Sequence, residues 1–260
     1  MEQKEMAIGV FDSGVGGISV LRELVALMPQ ENYIYFGDSK NAPYGTKTLE
    51  EVQKLTMADA AYLREQGIKA LVVACNTATS AAIDLLRETY QDIPVIGIEP
   101  ALKPAVQMGE HPRVLVMATP MTLKEEKFLA LQAQYQPRAE IIPLPCPGLM
   151  EFVEQGVTSG GAVEGYLLDK LEPYRNVPVS AIVLGCTHYP FLTGAIRRIV
   201  GRHVEIIDGA DGVAQQLRSR LAAENLLSAR TEPGRVAFEN SLDQPEILEL
   251  CRTLLNAPEE

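Results

Sequence analysis

The chain has 260 residues, 47% apolar and 22% charged, enough to bury a core in one large domain or two of moderate size. Acidic residues outnumber basic ones, 34 to 23, for a formal net charge of −11, which disfavours nucleic acid and anionic membranes as partners. No apolar run approaches the roughly 18 residues that span a bilayer, and the opening MEQKEMAIGVFDSG has no apolar leader-like region, so the expectation is a cytoplasmic protein.

In chain order, Ile8–Phe11 reads as a strand and is followed by Asp12, Ser13 and the glycines Gly14, Gly16 and Gly17. These glycines match neither GxGxxG nor GK[ST]; they are assigned to close backbone approach to a small anion. Asp12 can cap a helix or serve chemistry, and both roles can coexist. A second strand, Tyr33–Phe36, leads to Asp38-Ser39, and Thr46–Gln66 reads as a long helix stopped at Gly67. Leu71–Ala74 is a third strand, followed by Cys75-Asn76-Thr77. Beyond it, Ala78, Ala81, Ala82, Leu85 and Leu86 have the spacing of one buried helix face. Val95–Ile98 is a fourth strand.

The pattern then repeats. Val114–Met117 leads to Ala118-Thr119, Glu140–Pro143 follows, Ile182–Gly185 leads to Cys186-Thr187-His188, and Val204–Ile207 leads to Asp208. The four offsets are 114 − 8 = 106, 140 − 33 = 107, 182 − 71 = 111 and 204 − 95 = 109. Strands alternating with helices predict two similar parallel-sheet α/β domains, with a shared cleft beyond the carboxyl ends of the strands. The tail adds helical patterns at Val213–Leu221 and Pro245–Leu255 and a strand at Val236–Phe238, expected to pack back onto the first half. The expected division is 1–98 plus 208–260, and 99–207.

The four cysteines (75, 146, 186 and 251) have no CxxC spacing, so reduced thiols are expected. Cys251 and Cys146 fit buried, inert thiols. Cys75 and Cys186 stand at equivalent places, each after a strand and before a helix start, where free N–H groups lower a thiol pKa. Two thiols facing one substrate suit inversion of a stereocentre, because one removes a proton while the other delivers one to the opposite face. His188, two residues beyond Cys186, fits a catalytic role better than zinc ligation, since Cys-x-His lacks ligand spacing.

FDSGVGG (11–17), GDSKNAPYG (37–45), ACNTATS (74–80), CPGLMEFVEQG (146–156) and LGCTHYP (184–190) together resemble the glutamate racemases of the cofactor-independent aspartate/glutamate racemase superfamily. The resemblance implies an active site between two α/β domains and interconversion of L- and D-glutamate without pyridoxal phosphate or metal, supplying D-glutamate for peptidoglycan. It implies that Cys75 works on the D-enantiomer and Cys186 on the L-enantiomer, with Asp12 beside the first thiol and His188 beside the second. Glu154 matches the assisting glutamate, Glu151 being the less favoured match. Substrate contacts carry over to Asp12, Ser13, Tyr44, Gly45, Asn76, Thr77, Thr119, Thr187 and His188. One departure is Ala118 before Thr119, where the family usually has glycine. No cofactor is implied, the partner is glutamate, and a homodimer is expected. An aspartate racemase shares the fold and the thiols. An amino-acid-binding protein has no use for paired thiols, a thiol hydrolase leaves one unexplained, and no lysine is marked for a pyridoxal Schiff base.

Overall fold

The computed structural model describes residues 2–242 and 244–257; residues 1, 243 and 258–260 of the expected first domain lie outside the described residues. The first half runs β1 (Ala7–Asp12), α1 (Ile18–Leu27), β2 (Tyr33–Gly37), α2 (Leu49–Glu65), β3 (Ile68–Val73), α3 (Asn76–Thr89), β4 (Val95–Gly97) and the short α4 (Leu102–Ala105). The second runs β5 (Arg113–Ala118), α5 (Glu126–Tyr135), β6 (Glu140–Pro145), α6 (Leu149–Glu154), α7 (Gly161–Leu171), β7 (Ala181–Gly185), α8 (Thr193–Val200) and β8 (Glu205–Ile207). The tail adds α9 (Ala210–Ala223), β9 (Val236–Asn240) and α10 (Pro245–Leu255).

Every strand pair is parallel, in two sheets ordered β4-β3-β1-β2-β9 and β6-β5-β7-β8. With β1 set against β5, β2 against β6, β3 against β7 and β4 against β8, the order is the same in both, and β9 is the addition. The tail strand lies beside β2, with Val236 opposite Tyr33.

The inner strands β1, β3, β5 and β7 are buried on both faces, which is why they are nearly all apolar, while the edge strands β6, β8 and β9 are partly exposed. On one face of the first sheet Phe11, Leu71 and Val73 pack with Val52, Ala60 and Leu63 of α2 and Ala78, Ala82 and Leu86 of α3. The other face, with Ile8, Val10, Ala70 and Val72, joins Leu115, Met117, Ile182 and Leu184 of the second sheet in one continuous core containing α1, α9 and α10. The halves therefore share apolar packing.

Two sequence expectations change. The long helix begins at Leu49, not Thr46: Thr48 caps it by accepting from Glu51 N–H, and the Glu51 carboxylate accepts from Thr48 N–H. Residues Tyr44–Thr46 form a separate 3-10 turn. On α3, Leu85 is 40% exposed while Ile83 is buried. The helix turns Thr79 and Ile83 toward β4, where a side chain at Gly97 would lie 2.6 and 2.9 Å from them. Among the described residues no helix is long and apolar enough to cross a membrane.

Candidate active site

The carboxyl ends of β1, β3, β5 and β7 converge on one cleft of about 480 Å³, its open mouth included. Ser13, Tyr44, Gly45, Cys75, Asn76 and Thr77 line it from the first half, and Thr119, Cys186, Thr187 and His188 from the second. Cys146 also lines it, so this thiol is buried as expected but forms part of the wall. Asp12, Asp38, Glu154 and Asp208 do not line it, although Glu154 and Asp38 bond lining residues from behind, His188 and Tyr44 respectively. Among the described residues no arginine or lysine lines the cleft. Among the described residues no three His, Cys, Asp or Glu side chains are grouped to hold a metal.

Cys75 is the N-cap of α3, its Sγ accepting from Ala78 N–H at 3.4 Å while its S–H points to Ser13 Oγ at 3.5 Å. The expected lowering of its pKa does not occur. Burial, reinforced by the nearby Asp12 charge, outweighs the Ser13 and Ala78 bonds and pushes the thiol up to about 12. The unliganded Cys75 is a neutral thiol.

Cys186 has a different setting. It precedes the 3-10 turn Tyr189–Leu192, and the helix proper starts only at Thr193, so the expected helix start at this thiol is displaced. Its Sγ lies 3.7 Å from His188 Nδ1, and His188 Nε2 lies 2.6 Å from Glu154 Oε1. Burial alone would lower the His188 pKa, but the bonds to Cys186 and Glu154 prevail and raise it well above the ordinary value. A ring so raised favours the imidazolium form, whose two nitrogens can donate to Cys186 and to Glu154. Burial alone would raise the Glu154 pKa; His188 and the N–H of Val15, donated at 2.7 Å, hold it low instead.

The glycine loop serves this pair. A Cβ at Gly14 would fall 1.9 Å from Glu154 Oε1, and one at Gly16 would fall 2.2 Å from His188 Nδ1. The loop thus closely approaches the chain's own Glu154 carboxylate. Asp12 does not cap α1, whose N-cap is Gly17. Its Oδ1 accepts from Gly14 N–H and its Oδ2 from the Thr187 hydroxyl, both at 2.9 Å, linking the two halves. Burial raises the Asp12 pKa, against the pull of His188.

Thr77, Thr119 and Thr122 form a triangle of hydroxyls with sides of 3.0 to 3.2 Å across the cleft. Thr122 escaped the sequence reading; its only signal was the i, i+3 spacing from Thr119. Asn76 is 3% exposed, and neither its Oδ1 nor its Nδ2 has a partner. A buried, unpaired amide is unfavourable, and this one belongs to a cleft-lining residue. Glu151 also lines the cleft with an unpartnered carboxylate oxygen, whereas Glu154 is the glutamate brought to His188. Tyr44 contributes ring and backbone, its hydroxyl being turned to Asp38 and Asp59. Gly45 leaves room for Thr119, which a Cβ would meet at 2.7 Å.

The family model for Asp/Glu/Hydantoin racemase matches residues 8–217. The chain is 50% identical over 257 residues to the glutamate racemase of Clostridium botulinum, covering 99% of this chain and 100% of that protein. It is 52% identical over 256 residues to that of Clostridium novyi, covering 98% and 99%. Among solved structures, the Francisella tularensis glutamate racemase in complex with D-glutamate superposes with a TM-score of 0.84 at 31% identity, covering 99% of this chain and 96% of the other. The Bacillus anthracis isoform RacE1 gives 0.88 at 30%, covering 98% and 95%.

Proposed function

The chain belongs to the Asp/Glu/Hydantoin racemase family and is a racemase, and we propose that it interconverts L- and D-glutamate by proton transfer between Cys75 and Cys186, supplying D-glutamate for peptidoglycan. The choice of glutamate is supported by relatives about half identical to this chain over its whole length. The observation that carries the mechanism is the placement of two thiols, each just beyond the equivalent strand of a repeated sheet, on the wall of one cleft.

One thiolate takes the Cα proton and becomes a thiol; the other thiol gives its proton to the opposite face and becomes a thiolate. The enzyme's proton count is unchanged; the swapped thiols are poised for the reverse reaction, and exchange of their protons with solvent resets them for another turnover in the same direction. Cys75 acts on the D-enantiomer and Cys186 on the L-enantiomer, as the family resemblance implies. Ionising a thiol of pKa about 12 requires positive charge beside it, which the substrate ammonium can provide. His188, held as a cation by Glu154, can hydrogen-bond a thiolate formed at Cys186. Asp12 is the anionic neighbour of Cys75 and locks Thr187 in place. With no arginine or lysine among the described residues lining the cleft, the substrate carboxylates are held by Ser13, the Tyr44–Gly45 backbone, Asn76, Thr77, Thr119 and Thr187. Division of the chain at 1–98 plus 208–260 and 99–207, a homodimer and a cytoplasmic location belong to the same reading and rest on the repeat and the resemblance.

Solvent deuterium incorporation from each enantiomer tests it. Cys75→Ser and Cys186→Ser should each abolish racemisation, Cys75→Ser keeping Cα exchange on L-glutamate and Cys186→Ser on D-glutamate. Full turnover by either variant refutes the two-thiol step, and a preference for L-aspartate over L-glutamate refutes the substrate.

A further inference from the structure

One phenol hydroxyl lies between two buried carboxylates. Tyr44 Oη is 2.7 Å from Asp38 Oδ2 and 2.8 Å from Asp59 Oδ2. Asp38 is 1% exposed, Asp59 8% and Tyr44 1%. A tyrosine hydroxyl has a single proton to donate, and an ionised carboxylate has none. Both contacts are hydrogen bonds only if one carboxyl is a neutral acid donating to the Tyr44 oxygen. Asn41 Nδ2 lies 3.0 Å from both Asp38 oxygens, so the negative charge is compensated at Asp38, while Asp59 has Tyr44 as its hydrogen-bond partner.

We propose that Asp59 is a protonated carboxylic acid that positions the Tyr44–Gly45 wall of the cleft, and that loss of its proton weakens substrate binding. The proposal rests on the racemase reading for its effect on substrate, but not for the protonation itself. Asp59 sits on α2, outside every stretch that carried the family resemblance, and does not itself line the cleft. Its influence passes through Tyr44 to Gly45, which abuts Thr119 of the other half. It is a positioning residue.

The charged or titratable groups facing Asp59 are Asp38, from the end of β2, and Tyr44. β1, β3 and α3 turn Phe11, Val73 and Ala78 into the same apolar cluster, whose other buried titratable member is the Cys75 thiol. On α2 itself Tyr62 points away, to Glu239. Burial first, and the Asp38 charge second, raise the Asp59 carboxyl to about 7, against the pull of Tyr44. Deprotonation sets two carboxylates against one hydroxyl, and one contact becomes repulsive.

Asn at this position keeps a donor to Tyr44 without titrating; Leu removes the tether. If only the protonated form binds well, the wild-type KM rises about tenfold from pH 6 to pH 8, in proportion to the fraction left protonated. Asp59→Asn should keep a low KM without that rise, Asp59→Leu should have a high KM throughout, and kcat should move little. Carboxyl ¹³C NMR of aspartate-labelled protein, with the Asp59 resonance identified by its absence from Asp59→Asn, should show titration near neutrality. A raised folded pKa carries stability that is lost as pH rises from the usual carboxylate range through the folded value. Wild type should therefore lose melting temperature relative to Asp59→Asn between about pH 4 and pH 7. An Asp59 resonance titrating in the ordinary carboxylate range, or parallel KM profiles in wild type and Asp59→Asn, would overturn the proposal. The NMR and melting measurements decide the protonation even if no glutamate turnover is found, so failure of the two readings can be told apart.

Discussion

Gly16→Ala isolates the contribution of the His188 position without altering a polar group. The new Cβ would lie 2.2 Å from Nδ1 and 2.5 Å from Cε1, whereas ordinary contact begins near 3.4 Å, so about 1.2 Å (3.4 − 2.2) must be found. The ring is buried, and its far nitrogen is held by Glu154 at 2.6 Å. The displacement therefore falls on the Nδ1 to Cys186 contact, already 3.7 Å long. Misplacing a catalytic group by about 1 Å loses on the order of 10²-fold in rate, and overpacking destabilises by about 1–3 kcal/mol. Enantiomers have equal free energies, so kcat/KM must fall equally in the two directions. The asymmetry appears in isotope exchange: on the proposed mechanism, Cα exchange of D-glutamate at Cys75 should persist while that of L-glutamate collapses. Racemisation kinetics by circular dichroism, deuterium exchange by NMR and a thermal melt provide the three readings. Unchanged kcat/KM in a variant that melts as a folded protein would refute the steric reasoning and the role given to His188.

Cys75 has its thiol pushed up to about 12, so its thiolate form is vanishingly rare near pH 7. Its alkylation by iodoacetamide, followed by mass spectrometry of the native protein, should be slow at neutral pH and accelerate about tenfold per unit of pH; labelling at the rate of an ordinary exposed thiol would contradict this. Glu154→Gln removes the charge facing His188, and the imidazole should then titrate at lower pH than in wild type by ¹H–¹⁵N NMR; an unmoved titration would sink the ion pair. Lys69 is fully buried, with Nζ at 2.5 Å from Glu31 Oε2 and 2.8 Å from Leu226 O, tying β3 to the tail far from the cleft. Lys69→Met strands Glu31 and should cost about 3–5 kcal/mol in urea unfolding while leaving kcat intact; a loss of kcat without loss of stability would refute that separation.

The strands were legible because a parallel sheet covered on both faces must be apolar along its whole length, and the polar residues then mark its carboxyl ends. That is why the sequence alone marks Asp12, Cys75, Thr119 and Cys186 as strand-end residues. Helix boundaries were less legible. The Thr48-x-x-Glu51 capping box was present in the sequence, but the residues before it continue the polar pattern and conceal the 3-10 turn. Leu85 fits the apolar spacing of α3 yet is exposed, because the buried arc is set by the position of edge strand β4, which spacing cannot reveal. Asp59 was not legible at all, and Thr122 only through its spacing from Thr119, since each acquires meaning from hydroxyls and carboxyls distant in sequence.

The repeat explains where the thiols stand but not why they differ. Identical strand order puts Cys75 and Cys186 at matching sheet positions, which would make their surroundings alike if the loops matched. They do not match. After β3 the chain enters α3 at once, so Cys75 caps a helix and remains a neutral thiol against Ser13. After β7 the chain passes through Thr187 and His188 before its helix, and those two residues reach into the first half, Thr187 to Asp12 and His188 to the glycine loop through Glu154. Each half thus completes the other's site: Glu154 of the second half is anchored by Val15 of the first, and Asp12 of the first is anchored by Thr187 of the second. Changes at Val15–Gly16 are therefore expected to act on Cys186, and changes at Thr187 on Cys75. That crossed dependence distinguishes an interlocked pair of halves from two independent half-sites.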